Sequence, residues 1–382
     1  MQKLSADNPA LLKLVLALNG VAADSRAESL EFALDGEVWA AARVNPASPL
    51  RYVERDGAEL ISGLGAEIGV RRAAPPAYAA RRNARGIELG KIAAMCGTYA
   101  TVILRGGCSL ASAGRTCALC RGRELTEAAG EVWPIEEVVD ALRAAFDEGD
   151  AEFVHVVLGH FAADDGGVRE LVPYLDAIHR HFDTIVAVTM HPPADHRAID
   201  FAYASGVDAV CYSLEAPDAE TMRARFPGRA SFIGFDRYLD ALRHATSVFP
   251  GGAIWSELML DLGTPAALET VAAKLAAMGV IPLFGVSAPG AAALDSEQAA
   301  GIATKTFEAV NRANISLNWI RDISTSFTPL DARQLLADAP QLPMLHHLGS
   351  SRLGAMTTRS LARMRRRLRV RRVRASFDSS QL

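Results

Sequence analysis

Apolar positions along the chain follow two rhythms. In the first, Asn8-Pro9 leads into Leu11, Leu12, Val15 and Leu18, a helical spacing with a capping residue and a proline suited to the first turn. Residues 29–61 then run in short strand-like stretches broken by Asp35-Gly36 and Asp56-Gly57, both hairpin signals. Residues 73–86, with Pro75-Pro76, Arg81-Arg82 and Gly86, have the composition of a linker.

From about residue 98 the second rhythm is regular. Apolar strand-like runs fall at 100–104, 153–158, 184–189, 209–214, 254–260 and 280–286, with helix-period segments between them. In the clearest helix, over 134–146, Ile135, Val138, Val139, Leu142 and Phe146 share one face and Pro134 suits the first turn. Near-continuous apolar strands alternating with helices predict a parallel β/α architecture. The expected fold is α/β: a parallel, partial TIM-type β/α barrel over residues 86–345. It carries a helix and a small β-rich N-terminal extension over 1–85 and a basic helical C-terminal tail over 346–382. Residues 315–320 are a candidate seventh strand.

Composition narrows the class. The 382 residues are half hydrophobic and 22% charged, with a mean hydropathy of +0.11, which excludes wholesale disorder and collagen-like or coiled-coil chains. The net charge of −4 averages an uneven distribution: from Arg352 onward ten arginines face Asp378 alone, which puts +9 on the tail and −13 on residues 1–351. An acidic body argues against nucleic-acid binding there. Leu353, Met356, Leu361, Met364 and Leu368 give the tail an amphipathic spacing, suited to an anionic partner, a membrane surface or RNA, or to docking on the chain's own acidic body. Asp7 and Lys13 interrupt the early apolar stretch, so it does not read as a signal peptide. No uncharged apolar run reaches the roughly 18 residues of a membrane span. The cytoplasm is the expected compartment.

Five cysteines are too few for a disulfide scaffold, and Cys108, Cys117 and Cys120 crowd the stretch after the first parallel strand. Active sites of β/α barrels lie at the carboxyl ends of the strands, so three thiolates are offered at such a mouth. Thiolates select zinc, copper(I) or iron–sulfur clusters. Structural zinc wants four ligands, and neither Cys96 nor Cys211 has the spacing of a second half-site. The donor set therefore suits a cluster with one open iron, with structural zinc and unligated thiols as the alternatives.

Over roughly residues 98–290 the chain resembles the radical S-adenosylmethionine (radical SAM) superfamily, through the Cys-x8-Cys-x2-Cys loop, the β/α rhythm and the polar end of the fourth strand. The resemblance implies that Cys108, Cys117 and Cys120 hold a [4Fe–4S] cluster whose fourth iron is chelated by S-adenosylmethionine. Reduction then yields a 5′-deoxyadenosyl radical that abstracts hydrogen from a substrate. The first gap departs from the superfamily's commoner three-residue spacing. Leu119 stands where an aromatic residue often packs near adenine and supplies apolar contact only. By the same likeness Ser213 and Glu215 bind ribose hydroxyls or the methionyl amino group, and Arg223 or Arg225 the cofactor carboxylate. Gly159 alone remains of a glycine-rich turn after the second strand, and the turn at Ser287 helps cover the adenine.

Further candidates come from the residues themselves. His191, before Pro192-Pro193 at the end of the third strand, and Glu257 and Asp261, alternating on the fifth, are the candidate catalytic and substrate-pocket groups. His160 reads as a surface histidine, with a polar contact or proton-transfer group as the alternative, and His155 as a satisfied core one. The expected activity is radical SAM chemistry on a small-molecule substrate, with a one-electron reductant such as flavodoxin or ferredoxin as partner. The opposing class is a non-catalytic zinc- or Fe–S-binding protein whose arginine-rich tail binds nucleic acid or another anionic partner.

Overall fold

The computed structural model describes residues 4, 8–25, 27–35, 38–104, 108–112, 117, 132–148, 151–161, 163–290, 294–318, 320, 323–336, 338, 360, 363 and 364. The chain divides into two compact units. One comprises Met1–Pro75, Leu214–Thr221 and Ser256–Gln341; the other comprises Pro76–Ser213, Met222–Trp255 and Leu342–Leu382.

In the first unit, α1 (Pro9–Asn19) starts where the Asn8 side chain accepts from the Leu11 amide at 3.0 Å and Pro9 occupies the first turn. It ends at Gly20, whose φ of 69° suits glycine and where a Cβ would lie 2.5 Å from the Arg43 carbonyl. β1 (Ser29–Leu34) pairs antiparallel with β2 (Val38–Arg43). β3 (Leu50–Arg55) and β4 (Ala58–Gly63) close on Asp56-Gly57, both at positive φ, the two-residue turn the dipeptide predicts. β5 (Ala66–Gly69) and β6 (Arg71–Arg72) complete two three-stranded sheets, β2-β1-β6 and β3-β4-β5. Leu12, Leu16, Phe32, Ala42, Leu50 and Ile61 form their shared core with α1.

The second unit opens with the short α2 (Leu89–Ile92) and β7 (Ala93–Cys96). β8 (Tyr99–Ile103) and α3 (Ser109–Ser112) follow, then α4 (Ile135–Glu148), β9 (Phe153–Val157), α5 (Val168–His181), β10 (Val186–Thr189), α6 (His196–Ala204) and β11 (Ala209–Cys211). α7 (Ala219–Arg225), α8 (Pro227–Phe232) and α9 (Phe235–Val248) lead to β12 (Ile254–Met259). α10 (Pro265–Ala277), β13 (Ile281–Gly285), α11 (Ser296–Arg312) and α12 (Pro329–Gln334) then return to the first unit.

β7 to β13 make one curled seven-stranded sheet in chain order, a partial barrel. β8 to β11 are mutually parallel, as the β/α rhythm predicts, and β7 is an antiparallel edge. Within the second unit, register puts Val154, Val156, Val186, Val188 and Val210 on one fully buried face. Thr101, His155, Thr189 and Cys211 lie on the other. His155 is a satisfied histidine on that face: its Nε2 meets the Thr189 hydroxyl at 2.8 Å.

One expectation changes. Residues 315–318 are not a strand; β13 instead makes a single antiparallel bridge from Phe284 to Phe327, because the chain leaves α11 through Asn314 at φ 53° and buries Leu317 as loop. The basic tail lies outside the described residues except at Ser360, Arg363 and Met364. There Arg363 bonds Asp183, an exposed pair of small energetic weight. No helix among the described residues is long and apolar enough to cross a membrane.

Candidate functional site at the strand ends

In the second unit the β-ladder extends one residue beyond its strands: the Leu104 amide donates to Val157, Leu158 to Thr189 and Met190 to Cys211. The residues that follow each bond therefore emerge at one end of the sheet. They are the stretch containing Cys108 and Ser109, then Gly159-His160, His191 and Tyr212-Ser213. These are the carboxyl ends, where barrel chemistry is placed.

Cys108 is half-buried and Cys117 buried. Cys120 and Leu119 lie outside the described residues. Among the described residues no three His, Cys, Asp or Glu side chains converge as a metal site. Soft sulfur donors in one loop fit an iron–sulfur cluster by their chemistry.

Ser109, directly after Cys108, is bound to the β9 end three times. Its amide donates to the His160 carbonyl at 3.3 Å, its Oγ to the same carbonyl at 2.9 Å, and Oγ lies 2.6 Å from His160 Nδ1. A carbonyl only accepts, and serine has one hydroxyl proton. With that proton on the carbonyl, His160 Nδ1–H donates to Oγ. His160 is 3% exposed, which corrects its reading as a surface histidine. Its ring lies 5.1 Å from His191 and meets the edge of Phe232, also at 5.1 Å.

His191 Nδ1 lies 2.7 Å from the Tyr238 hydroxyl. Burial holds its imidazole well below the ordinary value, and the positive Arg229 and neighbouring His160 push the same way. Arg229 is itself buried, with its guanidinium 4.5 Å from the Phe226 ring centre and 5.3 Å from that of Tyr238, and it donates to the Ser213 carbonyl at 3.2 Å. Gly166, at φ 67°, lets the loop after β9 run against the His191 carbonyl, where a Cβ would stand at 2.9 Å. The result is a histidine pair with a buried cation beside it, an arrangement able to move a proton or to orient a polar ligand.

The other predicted residues fall as follows. Gly159 precedes His160, and the Ser213 hydroxyl lies 3.4 Å from Cys211 Sγ. Arg223 and Arg225 end α7 and are exposed; the buried arginine is Arg229, which spacing did not single out. Alternation does not carry to Glu215: its φ is 63°, its amide donates to the Glu257 carbonyl at 2.7 Å and its carbonyl accepts from Met259 at 2.9 Å.

Within the first unit, Glu257 Oε1 accepts from Ser326 Oγ at 2.6 Å. Asp261 lies past the end of β12, in a 3-10 turn (Leu260–Leu262), so it is not the third residue of an alternating face. Its carboxylate accepts from the Ser287 amide at 2.8 Å, the Ala288 amide at 3.0 Å and the Ser287 hydroxyl, which makes it the clasp of the turn after β13. Sequence reasoning missed Ser109, Arg229 and Tyr238. Only Ser109 carried a signal, its position beside Cys108.

The described architecture is an α/β fold with a partial parallel barrel. No protein-family model and no curated protein matches the chain. Similar solved structures include the FeFe-hydrogenase maturase HydG from Carboxydothermus hydrogenoformans, 17% identical over 56% of this chain and 52% of that one, at a TM-score of 0.44. Methylornithine synthase (PylB) is 12% identical over 58% and 66%, at 0.43. A second HydG structure is 16% identical over 58% and 52%, also at 0.43. The chain thus spans half to two thirds of the length of these structures.

Proposed function

We propose that this chain is a radical SAM enzyme acting on a small molecule. The observation that carries the reading is the three-cysteine loop directly after the first parallel strand. Ser109, the neighbour of Cys108, is hydrogen-bonded there to the buried His160, whose ring lies beside His191 at the carboxyl end of the sheet. Cys108, Cys117 and Cys120 would hold a [4Fe–4S] cluster; when bound, cluster and S-adenosylmethionine supply a 5′-deoxyadenosyl radical for hydrogen abstraction. Leu119, Gly159, Ser213, Glu215, Arg223, Arg225 and Ser287 are the proposed cofactor contacts, and a flavodoxin- or ferredoxin-like protein the reductant.

The chain's own residues do the rest. His191, kept neutral by burial beside Arg229, accepts or returns a proton at a fixed position. Glu257, held by Ser326, presents a carboxylate, and Asp261 fixes the turn of Ser287. The proposed setting is cytoplasmic, and the proposed partner of the arginine-rich tail is an anionic surface.

The test is anaerobic reconstitution with iron and sulfide, followed by dithionite and S-adenosylmethionine. The expected result is about four irons and four sulfides per chain, the count of one [4Fe–4S] cluster, a broad visible absorption band and 5′-deoxyadenosine, all lost in Cys117→Ser. Folded protein that takes up zinc but no sulfide, and forms no 5′-deoxyadenosine, overturns the reading.

A further inference from the structure

We propose that Ser109 and His160 are a positioning pair that sets Cys108 for ligation, a proposal that rests on Cys108 being a cluster ligand. The two residues are 51 positions apart and joined by three hydrogen bonds. One fixes the backbone amide of the residue after Cys108, and one its hydroxyl, onto the His160 carbonyl in the loop after β9. The third, from His160 Nδ1–H to Ser109 Oγ at 2.6 Å, orients a ring packed between His191 and Phe232. Cys108 therefore precedes a pinned residue, which restricts its backbone before any metal is bound. Preformed ligand geometry lowers the ordering cost of binding, and partners that orient ligands affect metal affinity nearly as much as the ligands do.

The clamp makes a demand that separates it from ordinary packing. It needs an N–H donor at the Nδ1 position. Asparagine places its side-chain amide near Nδ1, whereas glutamine reaches toward Nε2.

The experiment uses the full chain. In the metal-free protein, alkylation of Cys108 and Cys117 by iodoacetamide is timed by peptide mass spectrometry for wild type, Ser109→Ala, Ser109→Thr, His160→Asn and His160→Gln. The reconstituted proteins are compared by electron paramagnetic resonance of the reduced cluster. Ser109→Ala and His160→Gln are expected to speed Cys108 alkylation about 5- to 10-fold, the factor that loss of one ordinary hydrogen bond allows. Cys117 serves as the internal control. The same two variants alter the resonance line shape, while Ser109→Thr and His160→Asn keep wild-type behaviour in both readouts.

Wild-type alkylation rates in Ser109→Ala together with an unchanged resonance spectrum overturn the proposal, as does His160→Asn behaving like His160→Gln. If His160→Gln does not fold, Ser109→Ala, which removes a single hydroxyl, carries the test. Wild-type protein that binds no cluster defeats the enzyme reading, whereas a normal wild-type cluster left unperturbed in the variants defeats the clamp alone.

Discussion

Replacing Lys13 with methionine removes a buried cation from the first unit. Lys13 is 4% exposed and Asp331 7%; the lysine Nζ donates to Asp331 Oδ2 at 2.8 Å and to the Ile323 carbonyl at 2.7 Å. Methionine keeps much of the stem's volume, so little cavity forms and the loss is mainly electrostatic. Stranding one member of a buried pair costs about 3–5 kcal/mol. Asp331 retains the Thr328 amide at 2.8 Å and the Thr328 hydroxyl at 2.9 Å, which sets the expectation at the lower end, about 3 kcal/mol. Lys13→Met/Asp331→Leu removes both charges, so the pair should be less destabilising than the sum of its singles by roughly 2 kcal/mol. Urea denaturation followed by circular dichroism measures the cycle, with hydrogen exchange of the α1 and α12 peptides locating the loss. A Lys13→Met protein within about 0.5 kcal/mol of wild type, or an additive cycle, refutes the argument that this pair ties α1 to α12.

His155 is lowered to about 4 by burial. Its folded value lies below its unfolded one, so the unfolded chain takes up the proton first and stability falls as pH drops from about 6.5 toward 4. His155→Gln should flatten the urea midpoints between pH 7 and 4.5 by an amount equal to roughly 2–3 kcal/mol, and parallel curves for the two proteins would contradict this. Arg229→Met removes the cation that helps depress His191, so the His191 imidazole should titrate at higher pH in nitrogen-15 spectra; an unchanged or lower value counts against the placement. Gly285→Ala puts a Cβ 2.9 Å from Glu257 Oε1 and 3.1 Å from Met259 Sδ. It should destabilise the protein by about 1–3 kcal/mol through crowding, and a melting temperature equal to wild type would show that Glu257 is not held where Ser326 places it.

The parallel strands were legible because a buried sheet face demands apolar residues: Val154, Val156, Val186, Val188 and Val210 are nearly inaccessible and recur at period two. β7 escaped notice because Ala93–Cys96 is short, half-covered and antiparallel, with small residues that carry no period. Glu215 misled because alternation was extended past Cys211, where the strand ends and a left-handed residue turns the side chain off the face.

The candidate site divides in the same way. His191 and Ser213 follow from a rule about where strands end, since that rule needs only strand positions. Arg229 does not follow from any local rule. Arg223 and Arg225 sit at the end of α7, and a continuous helix would have carried their register forward. Instead the chain breaks at Phe226-Pro227 and α8 starts afresh. The restart buries Phe226 and Arg229 and leaves the two earlier arginines in solvent. The aromatic ring beneath the guanidinium then comes partly from Tyr238, on α9. Which of three nearby arginines faces His191 is therefore decided by a helix break and by a residue on the next helix, information that hydrophobic periodicity within one element does not contain.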